Sequence, residues 1–533
     1  MTRRRWWLLV LGLAVALSAL RWPGVVARSL WYDEAISLLE VGDEVGAWPE
    51  GVVPASQARA RLTGAAPVAR IVDTLRRTDV HPSAYSLLLR GWRALTGPSI
   101  EAARGLSVLC SGLMIAAFGL FLWGRLPTGQ AIVAMLTLGL ASGAVVAGYD
   151  ARNYALALAE AAALLALAGA MEQEEGRARA AAAVGVGLVM ALSLATHYLA
   201  LPFVAAVALW LGACLGRRGR RDLLIALGIA AGISLLGAPS LLGQLGSRGH
   251  QDAGAPPFFT SLVEAAVSTG EAVYWPMMGD GGLAPPSGLR AASAAWLILA
   301  LGLALWETRR AQGSRRRLLL LGWLSAALPP LALVAMNQGF DKHLTAPRYA
   351  LMALPGIALL VGAGARPLFT RLGAVGAFGV IALLTTLQLT GINLLLSATP
   401  GPFGGSDARA AIPLLLASAP ERTLFLVGAG FGRGHPGVYA YELPGDAPMA
   451  ILTPKTPPEA VAAWTAPFDG VWYLPSGEAP TAAVEAAAER LLLERRAPVQ
   501  RIGLRLLFGP PRAQAPGVEA APPADPSAPE ASE

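Results

Sequence analysis

Charged residues are scarce in this sequence, and so are cysteines. Only 14% of its 533 residues are charged and 54% are hydrophobic, whereas an average soluble domain carries roughly 25% charged residues. This composition excludes a disordered protein and argues against a fully water-soluble one. The two cysteines, Cys110 and Cys214, lie in apolar runs and are too few for a disulfide scaffold or a structural zinc site. The net charge of +7 comes from arginines between apolar runs, which indicates membrane topology rather than nucleic-acid binding.

Long apolar runs predict an α-helical polytopic membrane protein with about eleven transmembrane helices. A helix needs about 20 apolar residues to cross a bilayer. The runs that meet or approach this length cover residues 6–22, 104–124, 129–148, 153–171, 180–197, 198–216, 223–242, 288–306, 318–336, 348–365 and 372–396. The first run has no small-residue cleavage site after it, so we interpret it as an uncleaved span rather than a signal peptide.

Segment 82–96 decides the predicted topology. It is short, contains Arg90 and Arg93, and carries its apolar residues on one helical face, which favours a helix lying in the membrane interface. With this segment at the surface, most arginines near span ends fall on the cytoplasmic side. The positive-inside rule then predicts a multi-pass plasma-membrane protein with a cytoplasmic N-terminus and an extracytoplasmic C-terminus.

The chain divides into three predicted regions. Apolar strands at 423–427, 450–452 and 470–474, followed by a helix at 480–496, indicate a small α/β unit after the last span. The Pro/Ala-rich end has the composition of a disordered tail. We therefore expect a transmembrane domain at 1–397 with outer loops at 23–103 and 243–287, an extracytoplasmic α/β domain at 398–512, and a disordered tail at 513–533.

Ionisable side chains are rare inside the predicted spans, where Glu160 is the clearest exception. Transporters and pumps place such groups near the bilayer midplane. Here the polar clusters lie at the predicted outer ends of spans, which indicates chemistry at the outer membrane surface. Asp33 and Glu34 form the first cluster, beside Trp31 and Tyr32. One carboxylate of such a pair suits a general base, although both residues also suit the start of a helix.

Three further clusters supply candidate substrate-binding residues. His81 precedes a proline and suits either an orienting role or a helix cap. Asp150, Arg152 and Tyr154 lie in one predicted outer turn, where the acid and the arginine could bind substrate or pair with each other. His197 lies in another outer turn, where contact with lipid headgroups is the alternative.

The last cluster contains Lys342, Arg348 and Tyr349, between the ninth and tenth predicted spans. Cations at this depth suit an anionic headgroup or a lipid phosphate. Generic snorkelling of long basic side chains to the interface is the alternative.

The order of these clusters resembles the polytopic glycosyltransferases of the GT-C superfamily. The resemblance is to the bacterial branch related to protein O-mannosyltransferases and to lipid A aminoarabinose transferases. Its segments are LWYDEA at 30–35, DVHPSAYSLLLRGW at 79–92, EAARGLSVL at 101–109, YDARNYALAL at 149–158, THYLAL at 196–201 and PRYALMALPGIALL at 347–360. Two positions depart from the family pattern, which usually has a second proline at Ser83 and often a glutamate at Asp150.

The resemblance implies a membrane glycosyltransferase that uses a polyprenyl-phosphate-linked sugar on the extracytoplasmic face. Asp33 would be the catalytic base with Glu34 as its neighbour, and His81 and Asp150 would shape the substrate site. Transfer would invert the anomeric centre, to an acceptor hydroxyl on a protein, lipid or glycan. No cofactor is expected, because the acidic pair Asp33 and Glu34 is not a spaced Asp-x-Asp motif. Whether a divalent metal takes part stays open. The alternatives are a ligase for larger polyprenyl-linked glycans, a lipid or glycan transporter, and a non-catalytic membrane scaffold.

Overall fold

The computed structural model describes residues 1–43, 48–78, 81–237, 256–274, 287–340, 343, 346–397, 408–429, 435–476, 481–502 and 505–511. Helices dominate these residues, as the apolar runs predict. The helices that coincide with predicted spans are α1 (Arg3–Ala19) with α2 (Trp22–Ala27), α7 (Ile100–Leu122), α8 (Thr128–Gly139) with α9 (Ser142–Tyr149), α10 (Tyr154–Gln173), α11 (Gly176–Thr196), α12 (Leu201–Cys214), α13 (Arg217–Leu236), α15 (Ser287–Arg310), α16 (Gly313–Phe340), α17 (Leu354–Gly364) and α18 (Arg366–Ser397).

Among the described residues, seven stretches are long and apolar enough to cross a membrane, and the bent pair α8–α9 makes an eighth. The other three predicted spans coincide with α12, α13 and α18. Helix α12 and the apolar part of α18 are shorter than a full span, and α13 begins within an arginine cluster. The polytopic helical architecture predicted from the sequence is therefore confirmed, with three of its helices less clear-cut as spans.

A buried arginine stabilises the break between α8 and α9, which are bent by 56°. Arg21 is fully buried, and its Nη2 donates hydrogen bonds to the Gly139 oxygen at 2.9 Å and the Ala144 oxygen at 3.3 Å. The Gly139 carbonyl ends α8 and has no intrahelical donor, so the guanidinium supplies one within an apolar bundle. Gly148 leaves the room that this side chain needs, because a Cβ there would collide with the Arg21 guanidinium.

The segment between the first two predicted spans folds into four short helices packed beside the bundle. They are α3 (Tyr32–Gly42), α4 (Ala55–Thr63), α5 (Val68–Thr78) and α6 (Ala84–Thr96). The helix predicted at 82–96 is present as α6, and it buries Tyr85, Ser86, Leu89 and Arg93 against the protein. Its position in the membrane interface stays a prediction. A further helix, α14 (Phe258–Tyr274), covers part of the predicted loop at 243–287.

The C-terminal part forms an α/β unit that contains the three predicted strands and, after them, two further strands that the sequence does not predict. Its helices are α19 (Ala408–Ala417), α20 (Pro436–Glu442), α21 (Pro458–Thr465) and α22 (Ala482–Arg495). Its strands are β2 (Thr423–Gly428), β3 (Pro448–Leu452), β4 (Gly470–Leu474), β5 (Arg496–Ile502) and β6 (Arg505–Pro511). The tail predicted at 513–533 lies outside the described residues.

A strand from the segment between the first two predicted spans completes this sheet. The strand order is β1-β3-β2-β4-β6-β5, and β1 (Val52–Pro54) pairs antiparallel with β3, aligning Val52 with Ala450. The neighbours β3, β2 and β4 are parallel, whereas β6 is antiparallel to β4. The sheet therefore includes residues from outside 398–512. Three residues leave almost no hydrophobic pattern in the sequence, so β1 was not predicted.

Candidate functional site

The predicted site residues come together where several helices begin or end. Helix α3 begins there, α9 ends and α10 begins, and α11 ends. A 3₁₀ segment (Pro347–Ala353) that leads into α17 closes the group. Helix ends place side chains and unpaired backbone groups at one level, so residues from distant parts of the sequence meet in one cluster.

Asp33 lies in the first turn of α3 and is largely buried, with a relative exposure of 7%. Its Oδ2 is 4.0 Å from Nη1 of Arg348. The rings of Trp31 and Tyr32 pack edge to face just before it, 5.2 Å apart between centroids. Burial, followed by the charge of Asp33, raises the pKa of Tyr32 to about 12. The Asp33 carboxylate thus faces a cation from a distant segment and lies beside a phenol that keeps its proton.

Glu34 is adjacent to Asp33 in sequence but points into the protein. Arg104 binds it with two hydrogen bonds, 2.8 Å from Nε to Oε1 and 2.6 Å from Nη2 to Oε2. The backbone N–H of Ala151 donates to Oε1 at 2.8 Å, and that of Trp31 donates to Oε2 at 3.3 Å. The carboxylate is fully buried. Glu34 therefore links α3 to α7 and to the α9–α10 turn.

Arg104 is the functional residue that sequence reasoning missed. Besides Glu34, it donates to the backbone oxygens of Val25, Arg28 and Ser29, at 2.8–2.9 Å. It thereby fixes the segment between α2 and α3 that leads to Asp33. Its position near the beginning of an apolar helix was the available signal, because a buried arginine in such a helix needs an anionic partner.

Arg152 holds the beginning of α3 from the other side. Its Nη1 donates to the backbone oxygen of Asp33 at 3.2 Å and to the Ser37 hydroxyl at 2.9 Å, and its Nη2 is 3.5 Å from Nδ1 of His81. The sequence left open whether Arg152 pairs with Asp150 or binds substrate. The hydrogen bonds of Arg152 described above go to α3 and to His81.

Aromatic contacts link His81 to the part of the site where α10 begins and α11 ends. The rings of His81 and His197 lie edge to face at 5.6 Å, and Tyr154 packs against His197 at 5.5 Å. Nδ1 of His197 accepts a hydrogen bond from the N–H of Leu199 at 3.1 Å. A continuous chain of contacts thus runs from Asp33 through Arg152, His81 and His197 to Tyr154.

A pocket lies beside this chain. Trp31, Asp150, Tyr154 and Arg348 give it polar and aromatic walls. Its remaining lining residues are small or apolar, namely Gly143, Val146, Ala147 and Leu351. Glycine is required at 143 because a Cβ there would collide with Leu351. The guanidinium of Arg348 lies over the ring of Tyr349 at 5.2 Å, which restricts its orientation.

Asp150 is the acidic wall of the pocket and has a relative exposure of 4%. Burial raises the pKa of its carboxyl well above the usual value, and the charges of Glu34 and Asp33 add to the rise. Arg104 and Arg152 oppose it. A desolvated carboxyl near two other acids favours its neutral form.

Nine of the ten predicted site residues belong to the described part of the chain, and Lys342 lies outside it. Within that part, no group of three or more histidine, cysteine, aspartate or glutamate side chains is arranged to hold a metal ion. The 3₁₀ segment that carries Arg348 and Tyr349 packs on α14 and α9, and α14 accepts a hydrogen bond from Ser142 through the Glu271 backbone oxygen at 2.7 Å. This support was not visible in the sequence.

Two solved structures are similar to this chain over nearly its whole length. One is ArnT from Cupriavidus metallidurans in the apo state, with a TM-score of 0.56 and 12% identity over 95% of this chain and 98% of that chain. The other is ArnT from the same organism bound to undecaprenyl phosphate, with a TM-score of 0.51 at the same identity and coverage. No protein-family profile and no curated protein matches the sequence. The structural likeness shows that this chain shares the fold of ArnT.

Proposed function

We propose that this chain is a membrane glycosyltransferase that moves a sugar from a polyprenyl-phosphate carrier to an acceptor hydroxyl. The observation that carries the proposal is the approach of Arg348 to Asp33, 4.0 Å apart, at a pocket lined by Arg348 and Asp150. A base and a phosphate-binding cation must be close together for this reaction. The solved structure of ArnT bound to undecaprenyl phosphate supports a polyprenyl phosphate as the lipid part of the donor.

The reaction needs one base because its leaving group is already acidic. In the proposed step, Asp33 takes the proton of the acceptor hydroxyl while the hydroxyl oxygen attacks the anomeric carbon. The bond from that carbon to the phosphate oxygen breaks, and its electron pair leaves with the lipid phosphate. Direct attack inverts the anomeric centre. A glycoside hydrolase, in contrast, needs an acid to protonate its leaving group.

Arg348 stabilises the negative charge that develops on the departing phosphate. A guanidinium placed in a partly buried pocket is worth more than one in water, and it needs no rearrangement during the reaction. Arg152, Glu34 and Arg104 act through α3, because their hydrogen bonds fix the backbone and the first turn that carry Asp33. His81, His197 and Tyr154 form the wall on the other side of Arg152.

The test uses purified protein in lipid nanodiscs with a panel of polyprenyl-phosphate sugars. Release of the polyprenyl phosphate and formation of a glycosylated acceptor are measured together. Asp33→Asn should abolish turnover, since an amide cannot take a proton, while the variant stays folded. Asp73→Asn is the matched control, because Asp73 is an exposed carboxylate paired with Arg77 on α5. Turnover of Asp33→Asn at the wild-type rate would remove Asp33 as the base.

Two alternatives make different predictions in the same assay. A glycan ligase would release polyprenyl diphosphate or phosphate only from a carrier that bears a longer glycan. A lipid or glycan transporter would move substrate across vesicles without any covalent product. The scarcity of ionisable groups inside the spans favours an enzyme over an ion-coupled transporter.

The location of the site on the extracytoplasmic face is part of the proposal and follows from the positive-inside rule. Single cysteines at two exposed positions test it, one replacing Arg177 near the start of α11 and the other replacing Glu459 in α21. In intact spheroplasts, a membrane-impermeant maleimide should label the cysteine at 459 and not the one at 177. The reverse pattern would place the C-terminal unit and the site in the cytoplasm.

A further inference from the structure

Asp150 stands out among the acids of the site because the described residues offer its carboxylate no hydrogen-bond donor. Its backbone oxygen accepts hydrogen bonds from the Ser107 hydroxyl and from the N–H of Arg152. The side chain, only 4% exposed, lines the pocket. The carboxyl is therefore placed to bond with a molecule that enters the pocket.

The charges around Asp150 leave little compensation for another anion. Asp33 and Glu34 face Asp150 from α3, and Arg104 faces it from α7. All the hydrogen bonds of Arg104 described above go to Glu34 and to three backbone oxygens. Arg152 donates to α3 and lies near His81.

Among the described residues, two tyrosines and one arginine also adjoin Asp150 or line its pocket. Tyr149 precedes it in the chain, and Tyr154 lines the same pocket. Arg348 is the cation among the described residues that lines this pocket, and it already lies 4.0 Å from the Asp33 carboxylate. A phosphate bound at Arg348 would therefore meet a second negative charge at Asp150 if that carboxyl were ionised. Like charges so close in a desolvated pocket repel strongly.

We propose that Asp150 serves as an uncharged carboxylic acid that donates a hydrogen bond to the phosphate of the donor lipid, opposite Arg348. This inference rests on the proposed function, since it takes the ligand of the pocket to be a polyprenyl phosphate. The proton stays on Asp150 throughout, so no bond is formed or broken at this residue. Asp33 and Asp150 then have opposite roles, one as an ionised base and the other as a neutral donor.

The test measures binding of undecaprenyl phosphate to the full-length protein in nanodiscs of zwitterionic lipid at pH 7. Asp150→Asn keeps a neutral donor of nearly the same shape and should bind within about threefold of the wild type, because at most part of one hydrogen bond changes. Asp150→Ala removes the donor and should bind about tenfold more weakly or worse, as expected for a hydrogen bond to a charged group. Asp33→Asn is the calibration, since removing a real negative charge next to Arg348 should tighten binding.

The outcomes separate this inference from the function on which it rests. If Asp150→Asn tightens binding as Asp33→Asn does, Asp150 is ionised in the wild type and the inference fails, while the lipid site stands. If Asp150→Ala binds like the wild type, Asp150 does not contact the phosphate. If the folded wild type, verified by its thermal unfolding, does not bind undecaprenyl phosphate at all, the proposed donor is wrong as well.

A pH series gives a second and independent readout. Ionisation of Asp150 at alkaline pH should weaken binding to the wild type and to Asp33→Asn, but not to Asp150→Asn. Any contribution from the phosphate's own titration is common to all three proteins. A parallel pH response in wild type and Asp150→Asn would overturn the inference even if the two proteins have equal affinity at pH 7.

Discussion

Replacing Arg104 by methionine should be among the most destabilising single substitutions at the site. Methionine retains much of the apolar length of the side chain but none of its five hydrogen bonds to Glu34 and to the backbone of the α2–α3 segment. Glu34 would stay fully buried with only the N–H groups of Ala151 and Trp31 as donors. Breaking a buried ion pair from one side costs about 3–5 kcal/mol, because the other charge is left uncompensated.

The free energy of unfolding is measured in mixed micelles with an increasing fraction of SDS. Arg77→Gln is the control, because the Arg77–Asp73 pair is exposed on α5 and such pairs contribute only about 0.3–0.5 kcal/mol. The double variant Glu34→Leu with Arg104→Met should be more stable than Arg104→Met alone, since it leaves no buried charge. If Arg104→Met unfolds like Arg77→Gln, the ion pair does not hold α3 in place and the account of Asp33 positioning is wrong.

Three further predictions concern single groups of the site and its support. Arg348→Ala should raise the Kd for undecaprenyl phosphate about tenfold or more, which is the effect of losing a charged hydrogen bond. Arg348→Lys should restore only part of the affinity, because lysine lacks the planar fork of arginine. Equal affinity of the wild type and both variants would contradict this prediction. Burial raises the pKa of the Asp150 carboxyl, so the folded protein holds this proton more tightly than the unfolded chain does. The contribution of Asp150 to stability is therefore complete below the unfolded-state pKa of about 3.9 and is lost as the pH rises toward the folded-state pKa. The stability of Asp150→Asn relative to wild type, measured by unfolding, should therefore be greater at pH 9 than at pH 5, and a constant difference would speak against a buried neutral acid. Arg21→Met should destabilise the α8–α9 break by about 1–3 kcal/mol, because the Gly139 carbonyl is left without a donor. The unfolding midpoint should fall, with Arg21→Lys intermediate, and an unchanged midpoint would show that Gly139 does not need this donor.

The sequence by itself determined the helical architecture, because a membrane span is a local requirement. About 20 consecutive apolar residues suffice for one, and the predicted runs coincide with helices α1–α2, α7 to α13 and α15 to α18. The strands β2, β3 and β4 were equally visible, since each is a short apolar run between turn residues. The strand β1 was not, because three residues become a strand only when a distant edge strand is available to pair with them.

The neighbours Asp33 and Glu34 show what only the tertiary structure decided. Adjacent residues on a helix point about 100° apart, so one can face a pocket while the other enters the core. Glu34 meets Arg104 and becomes an anchor, whereas Asp33 faces Arg348. The sequence indicated that two acids begin a helix beside a membrane span, but the partner of each acid depends on which side chains from helices far along the chain are packed around it.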